Sequence, residues 1–229
     1  MTDLSIVVPA YNESRRIQPF LADLTAHCVR SSKTYEVLIV DDGSTDGTVQ
    51  TVEPFLKAHP FLRLLRHPAN RGKGAAVRTG MREATGRVRL FMDADGSFDP
   101  RDIDSNADRL GTECDVVIGS RFVRDGSSPD PETWHHRIMR RALNFLSSAV
   151  LGFHVSDSQC GFKFFSAPAA DALFSKSRID DFAFDLELLY LAARQGLRIR
   201  ESRVSCVVKK GSKVRVVQDT LRLFLRIFQ

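Results

Sequence analysis

The sequence lacks a long apolar run and any cysteine spacing typical of a zinc site. In its second half, the longest stretch without Asp, Glu, Lys or Arg covers residues 142–156, only 15 residues, whereas a membrane-spanning helix needs about 20 apolar residues. We therefore expect no transmembrane segment. The four cysteines are far apart and the start of the chain carries no secretory signal. These features favour a reduced, cytoplasmic setting with the cysteines as small core residues.

Composition excludes disorder, collagen and coiled coil, because 43% of the residues are hydrophobic and 27% are charged, as in ordinary globular domains. Basic residues outnumber acidic ones by 33 to 28, which gives a net charge of +5. This excess favours an anionic partner such as nucleic acid, a phosphorylated small molecule or an acidic membrane surface. The 229 residues contain no repeat and no convincing linker, so we expect a single domain.

Short apolar segments alternate with segments of helical periodicity. The expected strands are residues 4–9, 35–40, 62–66, 87–92, 114–119 and 198–208. The expected helices are residues 13–30, 48–58, 74–85, 134–153 and 182–195. The early alternation indicates βαβ units, and hence an α/β fold with a mainly parallel, Rossmann-like sheet flanked by helices.

Three of the expected strands end in loops with carboxylates, at residues 10–13, 41–46 and 93–97. The carboxyl ends of parallel strands meet at one edge of a sheet, and ligands bind outside that edge. The sequence therefore predicts one site built from three acidic loops.

Two of these loops suggest specific chemistry. Asp93 and Asp95, two residues apart at a strand end, can hold a divalent cation together with diphosphate oxygens; the alternative is a surface turn or helix cap. Asp41 and Asp42 can accept hydrogen bonds from a base or ribose, whereas Asp46 more simply caps the next helix.

Lys73 lies in RGKGAA, residues 71–76, which lacks the spacing of a P-loop and of a dinucleotide fingerprint. A helix start with small residues, free N–H groups and a lysine suits a diphosphate; simple helix entry is the alternative. His135, His136 and His154 have no carboxylate or Cys at ligand spacing, so we expect no metal there.

Taken together, the motifs resemble those of inverting GT-A glycosyltransferases of family 2. The early ones are PAYNE (9–13), VDDGSTDGT (40–48), NRGKGAAVRTGM (70–81), DADGS (93–97) and GSRF (119–122). Three later motifs are similar to the polyprenyl-phosphate branch, the dolichyl-phosphate β-glucosyltransferases and dolichol-phosphate mannose synthases: DSQCGFKFF (157–165), FDLELLYLA (184–192) and GSKV (211–214). The resemblance implies one GT-A domain over residues 1–229, with a nucleotide-sugar half (1–120) and an acceptor half (121–229).

The resemblance also implies which residues bind the donor. The nucleoside would be held by Pro9, Tyr11, Glu13 and Asp42, with Tyr11 stacking on the base. Asp93, Ala94 and Asp95 match residues that bind the ribose, the donor sugar and the Mg²⁺ or Mn²⁺ on the diphosphate. Ser97 stands where mannose synthases carry a Gln ligand, and Lys210 or Lys213 lies in a loop that closes over the diphosphate.

On the acceptor side, Arg121 and Arg137 match arginines that bind the acceptor phosphate. Asp185 is the nearest candidate for the carboxylate base of relatives that glycosylate hydroxyls, or is purely structural. A lipid phosphate is ionised at neutral pH, so its attack needs no base. Positioning and charge neutralisation, with Asp95 on the metal, then account for catalysis.

The expected activity is inverting transfer of glucose from UDP-glucose to dolichyl or polyprenyl phosphate at the cytosolic membrane face. Amphipathic segments 134–153 and 214–228 would lie in the membrane interface as a peripheral contact. The enzymatic alternatives are GDP-mannose with the same acceptor, or a saccharide or protein hydroxyl with Asp185 as base. The non-enzymatic alternative, an α/β module that binds nucleotides or nucleic acid, is disfavoured because three acidic loops suit a metal-bridged diphosphate and repel a bare phosphate backbone.

Overall fold

The computed structural model describes residues 2–120 and 155–206. Arg121, Arg137, Lys210 and Lys213, and the amphipathic segments 134–153 and 214–228, lie outside these residues. The strands are β1 Leu4–Ala10, β2 Tyr35–Asp41, β3 Leu62–Arg66, β4 Val88–Met92, β5 Val116–Ser120, β6 Phe162–Ser166 and β7 Ile199–Arg203. The helices are α1 Ile17–Arg30, α2 Thr48–Ala58, α3 Lys73–Glu83, α4 Asp102–Ala107, α5 Ala167–Phe174 and α6 Phe184–Arg194.

Within the described residues, the strands form one seven-stranded sheet in the order β3-β2-β1-β4-β6-β5-β7. β1 pairs in parallel with β2 and β4, β2 with β3, and β5 with β7, whereas β6 is antiparallel to both of its neighbours. The prediction of a mainly parallel sheet is confirmed. β1 and β2 are apolar along most of their length and buried on both faces, as expected for central parallel strands covered by helices.

The register of β1 and β2 positions the predicted site. Ala10 pairs with Asp41 at the ends of the two strands, and the N–H of Asp42 donates to the carbonyl of Ala10 at 2.8 Å. The loops that follow the two strands therefore leave the sheet side by side. β4 ends on the other side of β1, which brings the third acidic loop to the same edge.

β6 was missed by the sequence analysis, which used residues 162–166 only as part of a motif. Phe162, Phe164 and Phe165 are buried, and so is Lys163 between them. This arrangement gives neither the alternation of a half-buried strand nor an unbroken apolar run. The short helices α4 and α5 were also missed.

Helix α1 begins at Ile17, not at Glu13 as expected. The carbonyl of Glu13 accepts hydrogen bonds from the N–H groups of Arg16 and Ile17, both at 2.9 Å, so the preceding residues form turns. Pro19 then falls in the first turn, where its missing N–H breaks no intrahelical hydrogen bond.

None of the four cysteines, all of which lie in the described residues, forms a disulfide. Cys28, Cys114 and Cys160 are buried, as predicted for core residues, but Cys206 is only half-buried. It forms an isolated antiparallel bridge with Phe98, outside the regular sheet.

Candidate active site

A cleft of about 410 Å³ lies at the carboxyl ends of β1, β2 and β4. The three acidic loops meet there, as the sequence predicted. Eight of the predicted binding residues line the cleft, together with the start of α3 and Phe182: Pro9, Tyr11, Glu13, Asp42, Lys73, Asp93, Ala94 and Asp95.

The loops after β1 and β2 are fastened to each other by hydrogen bonds. Asn12 has a left-handed backbone conformation, with φ of 54°. Its N–H donates to Ser44 Oγ and its side-chain oxygen accepts the N–H of Thr45, both at 2.9 Å. The N–H of Glu13 donates to Thr48 Oγ1 at 2.8 Å. Tyr11 is thereby held on the cleft wall, with 40% of its surface exposed.

Asp46 serves the local structure rather than the cleft. It accepts hydrogen bonds from the N–H of Thr48, the first residue of α2, at 2.9 Å and from the N–H of Ser14 at 3.2 Å. Burial would raise the pKa of Asp46, but the hydrogen bond from the Thr48 hydroxyl, together with these N–H contacts, lowers it to about 2. The sequence analysis predicted Asp46 as the cap of α2, but Gly47 occupies the N-cap position, and Asp46, one residue earlier, accepts the N–H of the first helical residue.

Arg16 lines the cleft and was missed by the sequence analysis. Its guanidinium donates to both carboxylate oxygens of Glu13, at 2.5 Å for the Nε contact. These hydrogen bonds raise the pKa of Arg16, and the charges of Asp95 and Asp93 add to the effect. Glu13 therefore positions a fixed positive charge facing the two aspartates. The i, i+3 spacing of Glu13 and Arg16 was the available signal.

Asp41 and Asp42, which the sequence analysis treated alike, differ in their contacts. Asp42 is buried; it accepts the N–H groups of Arg71 at 3.0 Å and Gly72 at 2.8 Å, and lies 2.7 Å from His67 Nδ1. It therefore organises the loop before α3. Asp41 is also buried but does not line the cleft, and its Oδ2 lies 3.6 Å from Arg66 Nε in an ion pair.

The amino terminus of α3 differs from the sequence-based expectation of free N–H groups. The carbonyl of Asp180 accepts the N–H of Gly74 at 2.7 Å and the N–H of Ala75 at 3.3 Å. Gly72 has φ of 102°, and a Cβ there would overlap the same carbonyl. The N–H groups of Gly74 and Ala75 are thus already used, whereas the side chain of Lys73 lines the cleft.

Lys73 forms an ion pair with Asp93, with 2.6 Å between Nζ and Oδ1. The rings of Phe91, Phe182 and Phe184 surround the ammonium, with centroids 5.8–5.9 Å from Nζ. Burial alone would lower the pKa of Lys73, but the charges of Asp93 and Asp185 raise it. The lysine therefore remains charged inside the cleft.

Asp93 is held against Gly161, which the sequence analysis did not single out. The N–H of Asp93 donates to the carbonyl of Gly161 at 3.0 Å. A Cβ at Gly161 would overlap the Asp93 carboxylate, so only glycine leaves room for this aspartate.

The donor set at Asp93 and Asp95 fits Mg²⁺ or Mn²⁺, because both ions prefer oxygen ligands. Asp95 Oδ1 accepts the N–H of Ser97 at 2.9 Å, which orients this carboxylate. Across residues 2–120 and 155–206 no group of three or more His, Cys, Asp or Glu side chains could hold a metal ion. Two aspartates fit a metal whose remaining ligands are diphosphate oxygens and water.

Asp185 forms a buried ion pair with Lys163 instead of lining the cleft. Lys163 Nζ lies 2.5 Å from Asp185 Oδ1 and 2.6 Å from the carbonyl oxygen of Cys160. Neither residue exposes more than 2% of its surface. Burial raises the pKa of Asp185, and the ammonium groups of Lys163 and Lys73 counteract this only in part.

Asp185→Asn is expected to lower the free energy of unfolding by about 3–5 kcal/mol, because it leaves the Lys163 ammonium buried without a counter-charge. Urea unfolding at neutral pH measures the effect. The double variant Lys163→Met/Asp185→Leu should recover most of the loss, since it removes both charges and keeps the volume apolar. A single-variant loss below about 1 kcal/mol, as for an exposed pair, would contradict this account.

The architecture is that of the GT-A glycosyltransferase fold. The crystal structure of glucosyl-3-phosphoglycerate synthase from Mycobacterium tuberculosis with Mn²⁺, UDP and phosphoglyceric acid aligns with a TM-score of 0.72 at 18% identity, covering 99% of this chain and 76% of that one. The complex of the same enzyme with Mn²⁺ and UDP-glucose aligns with a TM-score of 0.71 over 99% and 77% of the two chains, again at 18% identity.

The chain belongs to glycosyl transferase family 2, whose sequence profile matches residues 5–174. It is 36% identical over 225 residues to dolichyl-phosphate beta-glucosyltransferase of Drosophila melanogaster, covering 93% of this chain and 69% of the relative. The enzymes of the same name from Saccharomyces cerevisiae and Homo sapiens are 32% and 31% identical, over 96% and 92% of this chain and 71% and 69% of their own. The predictions of the fold and of a glycosyltransferase are confirmed.

Proposed function

We propose that the protein transfers glucose from UDP-glucose to dolichyl or polyprenyl phosphate with inversion at the anomeric carbon. The observation that carries the proposal is the pairing of Lys73 with Asp93, beside Asp95, in a cleft at the carboxyl edge of the sheet. Positive and negative groups together suit a metal-bound diphosphate. The relatives named dolichyl-phosphate beta-glucosyltransferase support the acceptor and the sugar.

In this proposal the donor lies along the cleft from Tyr11 to Asp95. Tyr11 stacks on the base, whereas Asp41, which is buried outside the cleft lining and lies 3.6 Å from Arg66 in an ion pair, supports the end of β2. Lys73 and Arg16 face the diphosphate with positive charge. When bound, Mg²⁺ or Mn²⁺ would act as a Lewis acid that neutralises the departing UDP, held by Asp93 and Asp95.

The chemical step does not need a general base. The acceptor phosphate is already an anion at neutral pH, so no residue has to deprotonate it. Asp185 is then a structural partner of Lys163, and the protein contributes orientation and preorganised charge. We assign Arg121 and Arg137 to the acceptor phosphate, because they match arginines with that role in the family and two approaching anions need counter-charge.

A donor screen tests the proposed function. UDP-glucose, UDP-galactose, GDP-mannose and GDP-glucose are each incubated with a short polyprenyl phosphate and Mn²⁺, and the anomer of the product is determined by NMR. We expect transfer from UDP-glucose to give a β-linked product. If GDP-mannose were the one donor used, the protein would be a polyprenyl-phosphate mannosyltransferase. If sugar were transferred only to saccharide hydroxyls, the proposed lipid acceptor would be wrong.

We further propose a peripheral contact with the membrane through segments 134–153 and 214–228. In residues 2–120 and 155–206 no helix has the length and apolar character needed to cross a bilayer. The first segment has a basic start followed by leucines and phenylalanines, and the second places arginines among leucines and phenylalanines. Both compositions suit an anionic interface.

We expect the protein to float with anionic vesicles, with binding that weakens as salt increases. Leu146→Glu together with Leu151→Glu should reduce this binding in a folded protein, because charged side chains oppose insertion of the apolar face. Circular dichroism checks the fold of the variant. Undiminished flotation of the double variant would show that another surface makes the contact.

A further inference from the structure

The Lys73 ammonium forms an ion pair with the carboxylate of Asp93, which is also a proposed ligand of the metal ion. Its Nζ lies 2.6 Å from Asp93 Oδ1, and the lysine side chain is only 14% exposed. A divalent cation that binds Asp93 therefore has to displace, or share the carboxylate with, a positive charge already in place. Like charges this close repel each other strongly in a partly buried site.

Of the two partners, only the lysine is free to leave. Asp93 is fastened by the hydrogen bond from its N–H to the carbonyl of Gly161, and its carboxylate packs against that glycine. Lys73 has a flexible four-carbon stem that can rotate away. Its ammonium would not be stranded, because the rings of Phe182 and Phe184 and the negative charge of Asp185 remain nearby.

A diphosphate supplies a reason for the lysine to move. It brings at least two negative charges into the cleft that Lys73 lines, and charge-assisted hydrogen bonds to phosphate oxygens are strong. We propose that, before the donor binds, the Lys73 ammonium neutralises Asp93 in place of the metal ion. When the donor diphosphate binds, the ammonium moves to the phosphate oxygens, and Asp93 becomes available to the divalent metal. This inference rests on the proposed function, since it requires a nucleoside diphosphate in the cleft.

The arrangement couples the two ligands through one side chain. Coupling between two binding events is reciprocal, so UDP should tighten Mn²⁺ binding by the same factor by which Mn²⁺ tightens UDP binding. In Lys73→Met the Asp93 carboxylate is no longer neutralised, and the diphosphate loses a cationic partner. The variant should therefore bind Mn²⁺ alone more tightly and UDP alone more weakly than the unaltered protein.

Calorimetry with Mn²⁺ alone, UDP alone and each in the presence of the other tests the coupling. We expect Lys73→Met to tighten Mn²⁺ binding about tenfold and to weaken metal-free UDP binding about tenfold, each of which corresponds to about 1.4 kcal/mol. The factor by which UDP and Mn²⁺ tighten each other's binding should be smaller in this variant. Lys73→Gln should give the same signs. Lys33→Met is the matched control, because Lys33 also forms a 2.6 Å pair with an aspartate, Asp108, but away from the cleft.

A crystal structure of the metal-free UDP complex tests the movement itself. We expect Lys73 Nζ to lie on the diphosphate and more than about 4 Å, the limit of an ion pair, from Asp93. A lysine still paired with Asp93 in that complex, or an unchanged Mn²⁺ affinity in both Lys73 variants, would overturn the inference. Failure of the unaltered protein to bind UDP at all would instead contradict the proposed function.

Discussion

Asp95→Ala is expected to lower the rate of glucose transfer on the order of 10³-fold or more. A metal that neutralises the leaving group contributes several kcal/mol of transition-state stabilisation, and this variant loses its ligand. Asp93→Ala should lower the rate of glucose transfer by a smaller factor. In that variant the Lys73 ammonium still lies in the cleft and faces the diphosphate with positive charge. Initial rates with radiolabelled UDP-glucose and a short polyprenyl phosphate give both values.

Asp99→Ala is the matched control for these two variants. Asp99 lies beyond the same loop, pairs with Arg101 at the surface and does not line the cleft. Its replacement should leave turnover unchanged. Excess EDTA should stop the unaltered enzyme, and full turnover in EDTA would contradict a metal role for either aspartate.

Gly161→Ala is expected to lower turnover about 100-fold, because a displacement of about 1 Å in a catalytic group can cost that much. The added methyl would overlap the Asp93 carboxylate and push it away from the metal position. The fold should persist, because the overlap is with a side chain at the cleft that is 30% exposed, and not with the buried core. Steady-state kinetics and Mn²⁺ titration in the presence of UDP measure the effect.

Gly196→Ala separates this local displacement from a general loss of stability. Gly196 has φ of 69°, and nothing lies within 4 Å of an added Cβ. Alanine there should cost about 1–2 kcal/mol of stability through backbone strain and leave turnover intact. If Gly161→Ala behaved in the same way, Gly161 would have no part in placing Asp93.

The first half of the fold was predictable because its signals are local. β1, β2 and β4 are mostly apolar segments, β3 mixes leucines with arginines, and each of the four ends close to the predicted residue. The later strands were harder, because β6 enters the sheet antiparallel between β4 and β5. No local pattern reports that placement, and the buried Lys163 interrupts the apolar signal.

The residues of the cleft were predictable where a strand ends in a carboxylate, as at Asp93 and Asp95. Their partners were not, because they come from distant parts of the chain. Gly161 and the carbonyl of Asp180 reach the site only through tertiary packing. Asp41 and Asp42 also differ because a loop about 30 residues later in the chain packs against Asp42. The residues next to the two aspartates in the sequence do not indicate that contact.

The position of β6 has a consequence for how the protein is made. β4 carries the two aspartates at its end, yet one of its edges is covered only by a strand some 70 residues later in the chain. While the ribosome is still making the segment between them, β4 has an open edge whose N–H and C=O groups can pair with another chain. The nascent protein is therefore exposed to aggregation in that interval, and expression at low temperature or with a holdase chaperone should raise its soluble yield.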